Sequence, residues 1–227
     1  MVLFKTMVCL LLLMMLAACA ASPQDLSGKM FTFPEETNTA NVKLSPSTHS
    51  FNALTVCFRS ITDLSRSHSL FSLATRTTDN AFVIFMDENG VLALNINGKL
   101  TKFPGMIYPR NVWNSICSTW DAASGLVQLW VNGKHSIRKF TGGPVINNPV
   151  IILGQEQDSL GGGFDIQASF VGMMSDVHMW DHTLSSCKIQ WFMDELDFTP
   201  GNVLNWRALD FQMTGRVLIE DKQTTCY

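Results

Sequence analysis

The residues best suited to chemistry form a short acidic loop that follows an apolar run. The run 151–153 has the character of a buried strand, and it leads into Glu156 and Asp158, then three glycines at 161–163, then Asp165. Carboxylates on alternate residues, with a glycine-rich backbone after them, suit a hard cation that takes six to eight oxygen ligands. The loop therefore predicts a calcium site, although the loop alone is also compatible with an ordinary solvated turn.

Electrostatic repulsion gives the predicted ion a structural role. Two like charges 4 Å apart repel each other by about 4 kcal/mol at an effective dielectric constant of 20. Glu156 and Asp158 would be pressed together in such a loop without a cation. We therefore expect the metal to order the loop.

Short alternating strands surround this loop in the sequence. Segments 115–120, 126–131 and 134–140 form one series, with Asn132-Gly133 between the last two, and segments 81–86, 91–96 and 99–103 repeat the arrangement around Asn97-Gly98. Alternating apolar residues joined by Asn-Gly dipeptides are typical of β-hairpins with tight turns. The pattern predicts an all-β, two-sheet antiparallel jelly-roll sandwich of the lectin or laminin-G type.

One segment predicts a short helix. It runs from about Ser185 to Leu196, where Ser185 or Ser186 caps the first turn and Ile189, Phe192 and Leu196 fall on one face. We expect this helix to cover one face of the sandwich, so that the opposite face is free for a ligand.

The amino terminus has the features of a signal peptide. Residues 1–20 combine Lys5, an unbroken apolar run and a small-residue cleavage site, which predicts secretion and a mature domain over 21–227. A membrane anchor is the weaker alternative because the run is shorter than a spanning helix, and Leu16-Ala17-Ala18-Cys19 also resembles a lipoprotein box. The net charge of −3 with scattered basic residues predicts no specific nucleic-acid partner.

The cysteines predict disulfides. Six are present, and removal of the leader would leave Cys57, Cys117, Cys187 and Cys226. An even number in an exported chain favours disulfides, and four cysteines allow three pairings that the sequence does not distinguish. If Cys57 pairs with Cys117, the closed loop of about 60 residues would contribute about 4 kcal/mol.

The segment 151–162 (IILGQEQDSLGG) closely resembles the calcium loop of the short pentraxin family. The same register continues through Met179-Trp180-Asp181 and 202–209 (NVLNWRAL), and upstream through 71–75 (FSLAT) to Asp79-Asn80. The resemblance spans nearly all of the mature chain. It implies a pentraxin domain that binds two calcium ions and forms a ring, expected to be a homopentamer.

The resemblance also implies the metal ligands. For the first calcium these are Asp79, Asn80, Glu156, the main-chain carbonyl of Gln157, and Asp158. The second calcium would share Glu156 and Asp158 and add Asp165 and a glutamine. The residue of this chain that aligns with the family's glutamine is Ala168, and the nearest glutamine, Gln167, comes one residue earlier. In a strand, a displacement of one residue would point the Gln167 side chain to the opposite face. We therefore expect the second calcium to bind more weakly.

Ligand specificity follows from the same resemblance. Phe85 matches the apolar wall of the family's phosphocholine site, although plain strand packing is an equal explanation for it, and Asn95 and Lys99 are the other expected ligand-binding residues. The family's choline-facing Glu aligns near Lys99 or Leu100, which makes phosphocholine a doubtful ligand. The expected partners are phosphorylated or acidic glycans and phospholipid headgroups on microbial or damaged cells, and complement components as in acute-phase innate immunity.

Other cysteine and function assignments stay open. Cys187 and Cys226 have no counterpart in single-disulfide pentraxins, and they pair with each other, which we favour, or link subunits.

A jelly-roll glycoside hydrolase is disfavoured because Gly161 stands where an E-x-D-x-x-E strand would place its last acid after Glu156 and Asp158. The sequence carries no nucleophile or nucleotide motif either, so it predicts a calcium-dependent lectin and not an enzyme. A calcium-stabilised laminin-G-like adhesion module is the alternative function.

Overall fold

The computed structural model describes residues 22–223, so the predicted leader at 1–20 and Cys226 lie outside the described residues. Most of the described chain forms strands. The strands are β1 (Lys29–Phe33), β2 (Asn41–Leu44), β3 (Ser50–Phe51), β4 (Ala53–Ile61), β5 (His68–Ala74), β6 (Phe82–Met86), β7 (Leu92–Ile96), β8 (Lys99–Lys102), β9 (Asn114–Asp121), β10 (Leu126–Val131), β11 (Lys134–His135), β12 (Lys139–Phe140), β13 (Ile146–Asn147), β14 (Val150–Leu153), β15 (Gly172–Trp180), β16 (Phe211–Thr214) and β17 (Leu218–Asp221).

Two antiparallel sheets face each other. The first sheet has the order β11-β10-β9-β4-β15-β1-β17, with β12 also paired to β10, and the second has the order β16-β2-β14-β5-β6-β7-β8. Alternate residues of the longer strands, such as β4, β9 and β10, enter the main core between the sheets. In β6, for example, Phe82, Ile84 and Met86 face the core, whereas Val83 and Phe85 face outward. The predicted jelly-roll sandwich is confirmed.

The predicted hairpins are also present. Asn97 and Gly98 have φ values of 54° and 79°, and Asn132 and Gly133 have 49° and 78°, as tight turns between twisted strands require. The strand predicted over 134–140 is interrupted, and its ends form the separate short strands β11 and β12. Among the described residues, no helix is long and apolar enough to cross a membrane.

The single α-helix of the described residues, α1 (Ser186–Met193), packs on the first sheet. Ser185 caps it by accepting a hydrogen bond from the Lys188 amide at 3.4 Å, and Ile189 and Phe192 are buried as predicted. The prediction for Leu196 is wrong: its side chain is 54% exposed. The helix ends three residues earlier, and the chain turns away at Glu195, which has a φ of 56°.

A disulfide lies beneath this helix. Cys57 and Cys117 are directly opposite each other in β4 and β9, and they are bonded, which confirms the pairing considered from the sequence. They form a second, smaller core with Trp130, Trp180, Ile189, Phe192 and Met193. Cys187 is exposed and is bonded to no described cysteine. The helix and the disulfide occupy the outer face of the first sheet, and the acidic loop extends from a strand of the second.

Candidate metal centre and ligand face

The acidic loop is closed at its base. The Phe170 amide donates to the Gly154 carbonyl at 3.0 Å, so the chain leaves β14 and returns to the same point. Gly154 has a φ of 89°, and a Cβ there would lie 2.3 Å from the ring of Phe33. Only glycine fits this position, because any side chain would meet a buried aromatic ring in the core.

Two buried glutamines fix the loop to the sandwich. The Gln155 amide donates to the carbonyls of Thr37 and Ala40 at 2.7 and 2.9 Å. The Gln157 amide donates to the carbonyls of Ser72 and Val150 at 3.2 and 3.1 Å, and its own oxygen accepts from the Gly161 amide at 2.9 Å. Both side chains are fully buried. Their anchoring role was not predicted from the sequence, although the alternation Gln-Glu-Gln-Asp is the pattern that would have indicated it.

Because the glutamines point inward, the acids between and after them point outward. Glu156 is half-buried, and Asp158 is exposed. Burial, followed by the charges of Asp158 and Asp79, raises the pKa of Glu156 to about 7, and the Asn80 amide opposes this shift. The structure therefore brings together Glu156, Asp158, Asp79 and Asn80, which come from two stretches far apart in sequence.

The 79–80 segment joins β5 to β6 and is shaped by its own side chains. The Asp79 carboxylate accepts from the Asn80 main-chain amide at 2.8 Å and from the Asn80 side-chain amide at 3.2 Å. The Asn80 carbonyl accepts from the Gly98 amide at 3.1 Å, which holds the segment against the β7–β8 turn. Both side chains remain partly accessible.

The residues expected for the second calcium are placed differently. Asp165 is exposed and caps a 3-10 helix (Ile166–Ala168) by accepting from the Gln167 amide at 3.0 Å. Asp165 is not among the groups that perturb the Glu156 pKa. Gln167 is also exposed, and its carbonyl accepts from Arg66 at 2.9 Å. Asp165 and the Gln167 carbonyl are thus engaged in local contacts, with the 3-10 helix and with Arg66, and the second calcium set stays a prediction.

The groups near Glu156 carry oxygen atoms, which are the ligands that calcium prefers. Among residues 22–223, no three Asp, Glu, His or Cys side chains are placed so that they could hold an ion by themselves. The groups that act on Glu156 are instead mixed: the carboxylates of Asp158 and Asp79 and the side-chain amide of Asn80, which carry oxygen donors of the kind that calcium accepts. The Gln157 main-chain carbonyl stays a prediction of the resemblance. In the part of the chain that the structure describes, none of the groups that shift the Glu156 pKa in either direction is a cation, so no described cation pairs with this carboxylate.

The outer face of the second sheet lies beside the loop. Phe85 is half-buried on this face opposite Ala93, and Asn95 lies opposite Val83 on the adjacent strand. The Asn95 side-chain oxygen is buried and has no hydrogen-bond partner. Asn95 is paired in register with Leu100, which is 49% exposed.

Lys99 is separated from these residues. It is paired with Ile96, whose side chain enters the core side of the sheet, so successive residues place Leu100 and not Lys99 on the Asn95 face. The Lys99 ammonium donates to the Phe140 carbonyl at 3.1 Å and lies over that ring. The assignment of Lys99 to the same pocket as Phe85 is therefore corrected in favour of Leu100.

Comparison with known proteins agrees with this architecture. A family model described as the Pentaxin family matches residues 29–221. The serum amyloid P-component of Rattus norvegicus is 40% identical over 213 residues, which cover 89% of this chain and 90% of that protein. The C-reactive protein of Sus scrofa is 38% identical over 219 residues, which cover 95% and 97% of the two chains.

A solved structure shares the fold. The heptameric SAP-like pentraxin from Limulus polyphemus superposes with a TM-score of 0.76 at 25% identity, covering 86% of this chain and 95% of that one. The curated relative from Rattus norvegicus and the family model likewise match most of the chain. The chain belongs to the pentraxin family.

Proposed function

We propose that this protein is a secreted, calcium-dependent recognition protein of innate immunity that binds phosphate-bearing or acidic ligands through protein-bound calcium. The observation that carries the proposal is the convergence of Glu156 and Asp158 with Asp79 and Asn80. Oxygen donors brought from two loops to one exposed edge can hold an ion and leave some of its coordination positions for a ligand. The relatives named serum amyloid P-component and C-reactive protein support a role in recognition and not in catalysis.

The neighbouring face supports a choice among ligands. Phe85 offers a half-buried apolar wall, and Asn95 is partly exposed on the same face, with a buried side-chain oxygen that has no partner among the described residues. Leu100 places no negative charge opposite a quaternary ammonium. We therefore favour phosphorylated or acidic glycans over phosphocholine as ligands.

Self-association would strengthen such binding. A single ion-bridged anion is a weak contact, and several sites on one face raise the avidity by orders of magnitude. Ile137 and Phe140 are 74% and 65% exposed beside the short edge strands β11 and β12, and edge strands with exposed apolar residues favour contact with another chain. The Limulus relative is described as a heptamer, which supports a ring, and the pentamer stays a prediction.

The decisive experiment measures binding of the secreted protein to immobilised phosphorylated and sulfated glycans and to phospholipid vesicles, with calcium and with EDTA. We expect binding in calcium only, and loss of binding in Glu156→Gln. Asp197→Asn is the matched control because Asp197 is exposed and lies beyond α1. Binding retained by Glu156→Gln would contradict the metal bridge, and binding that survives EDTA would favour the laminin-G-like adhesion module.

The second calcium requires a separate test. We expect calorimetric titration to resolve one tighter and one weaker site, because the glutamine position of the second set is occupied by Ala168. The variant Ala168→Gln should tighten the weaker site, since it adds an oxygen ligand. Two equally tight sites in the unaltered protein would contradict this assignment.

A further inference from the structure

A cavity apart from the acidic loop lies at the beginning of β5. Its volume is about 340 Å³, within the range of small-molecule sites. Its walls include Leu64, His68, Met86, Glu88, Tyr108 and Arg110. None of the expected metal ligands lines it.

His68 supplies an unsatisfied polar atom in this wall. The side chain is only 2% exposed, and its Nδ1 lies 2.8 Å from the Arg66 carbonyl. A carbonyl can only accept, so Nδ1 carries the proton and Nε2 is left as a bare acceptor. Nε2 has no hydrogen-bond partner, and a buried acceptor without a partner is costly. Burial also lowers the pKa of His68 to about 4, so the ring stays neutral near pH 7.

The remaining walls combine an apolar surface with polar groups. The Tyr108 hydroxyl shares a hydrogen bond of 2.9 Å with Ser60, which fixes the aromatic ring in the wall. Met86 adds apolar surface, and Glu88 and Arg110 are exposed. A carboxylate accepts hydrogen bonds and a guanidinium donates them. The cavity thus offers an aromatic surface and both kinds of group at its outer edge, and an unpartnered acceptor lies buried behind its inner wall.

We propose that this cavity is a second ligand site, independent of metal, for a small neutral hydroxylated ring such as one monosaccharide unit. Entry of the ligand moves the side chains that cover His68 Nε2, and one ligand hydroxyl then donates to this atom. The ring lies against Tyr108, and other hydroxyls bond with Glu88 and Arg110. A neutral ligand is favoured because an anion would meet Glu88, a cation would meet Arg110, and the inner histidine carries no charge.

The test uses the purified oligomer in EDTA, titrated with glucose, galactose, mannose and N-acetylglucosamine and observed by NMR. We expect saturable binding of at least one sugar with a Kd on the order of millimolar, and a shift of the His68 Nε2 resonance. His68→Phe keeps an aromatic ring but removes the acceptor, and should weaken binding about tenfold. Arg110→Gln changes an exposed side chain and should weaken binding by about threefold, and Arg76→Gln, also at an exposed position, is its control.

Three results would overturn the proposal. The first is the absence of saturable binding for all four sugars. The second is equal affinity in the unaltered protein, His68→Phe and Arg110→Gln. The third is loss of sugar binding in Glu156→Gln, because that would place the sugar at the acidic loop. Retained sugar binding in Glu156→Gln separates this site from the calcium-dependent one.

Discussion

Replacing Glu156 by Gln should stabilise the metal-free protein while it weakens the calcium-bound one. Burial and the charges of Asp158 and Asp79 raise the pKa of Glu156 from 4.5 to about 7. A carboxyl with a higher pKa in the folded chain holds its proton more tightly there, so the folded state loses stability as the pH rises from about 4.5 through 7. Glutamine has the shape of the protonated acid and carries no charge at any pH, so it avoids this loss.

The size of the effect follows from the same shift. A change from 4.5 to about 7 corresponds to about 3 kcal/mol in the free energy of unfolding. Because Glu156 is only half-buried, solvent screening reduces this, and we expect about 2 kcal/mol at pH 8. For a chain of this size that raises the Tm by about 4–8 °C. At pH 4 the acid is protonated in both states, and the difference falls to a few tenths of a kcal/mol.

Thermal unfolding at pH 4 and pH 8, in EDTA and in calcium, tests this reasoning. In EDTA at pH 8, Glu156→Gln should melt above the unaltered protein. In saturating calcium the order should reverse, because an ion bound at one hundred times its Kd adds about 2.7 kcal/mol to the unaltered protein. Asp197→Asn should change neither. The reasoning is refuted if Glu156→Gln is no more stable than the unaltered protein in EDTA at pH 8, or if the difference is the same at both pH values.

Further outcomes are expected at three other places. Leu100→Glu should tighten phosphocholine binding by about two- to fivefold, because the new carboxylate can form an exposed ion pair with the quaternary ammonium of the ligand. An unchanged Kd in a fluorescence titration would show that the side chain at position 100 does not contact the ligand. Arg59→Ala should lower the free energy of unfolding, measured in urea, by about 3 kcal/mol. The reason is that the buried guanidinium donates to the Phe192 carbonyl of α1 and pairs with Asp176. Arg216→Ala breaks only an exposed ion pair with Glu35 at 3.8 Å and should lower the same free energy by less than about 1 kcal/mol. Peptide mapping without reductant should recover Cys187 joined to Cys226 within one chain, and a covalent dimer on a non-reducing gel would instead indicate a link between subunits.

Much of the fold could be predicted from local pattern. Alternation fixed which residues of β6 enter the core, and the Asn-Gly dipeptides marked two turns, because positive φ is costly for most residues. The end of α1 could not be predicted as well. The apolar spacing continued to Leu196, but the chain leaves the helix at Glu195.

The candidate site was only partly predictable. The types of residue in the acidic loop indicated an oxygen-rich cation site, since hard ions require carboxylates and carbonyls. The pairing of Asp79 and Asn80 with that loop came from the family resemblance, because no local rule joins residues so far apart. The anchoring by Gln155 and Gln157 went unpredicted, since it depends on carbonyls from strands distant in sequence.

The sequence by itself determined the class of fold, the turns and the chemical character of the loop, because each of these depends on the residues themselves and their near neighbours. It narrowed the helix cap to Ser185 or Ser186, and the structure has Ser185. Only the tertiary structure decided which side chains share a face. The pairing of β7 with β8 puts Leu100, and not Lys99, beside Asn95, since successive residues of a strand point to opposite sides. Strand register likewise brings Cys57 opposite Cys117, which the three possible pairings left open.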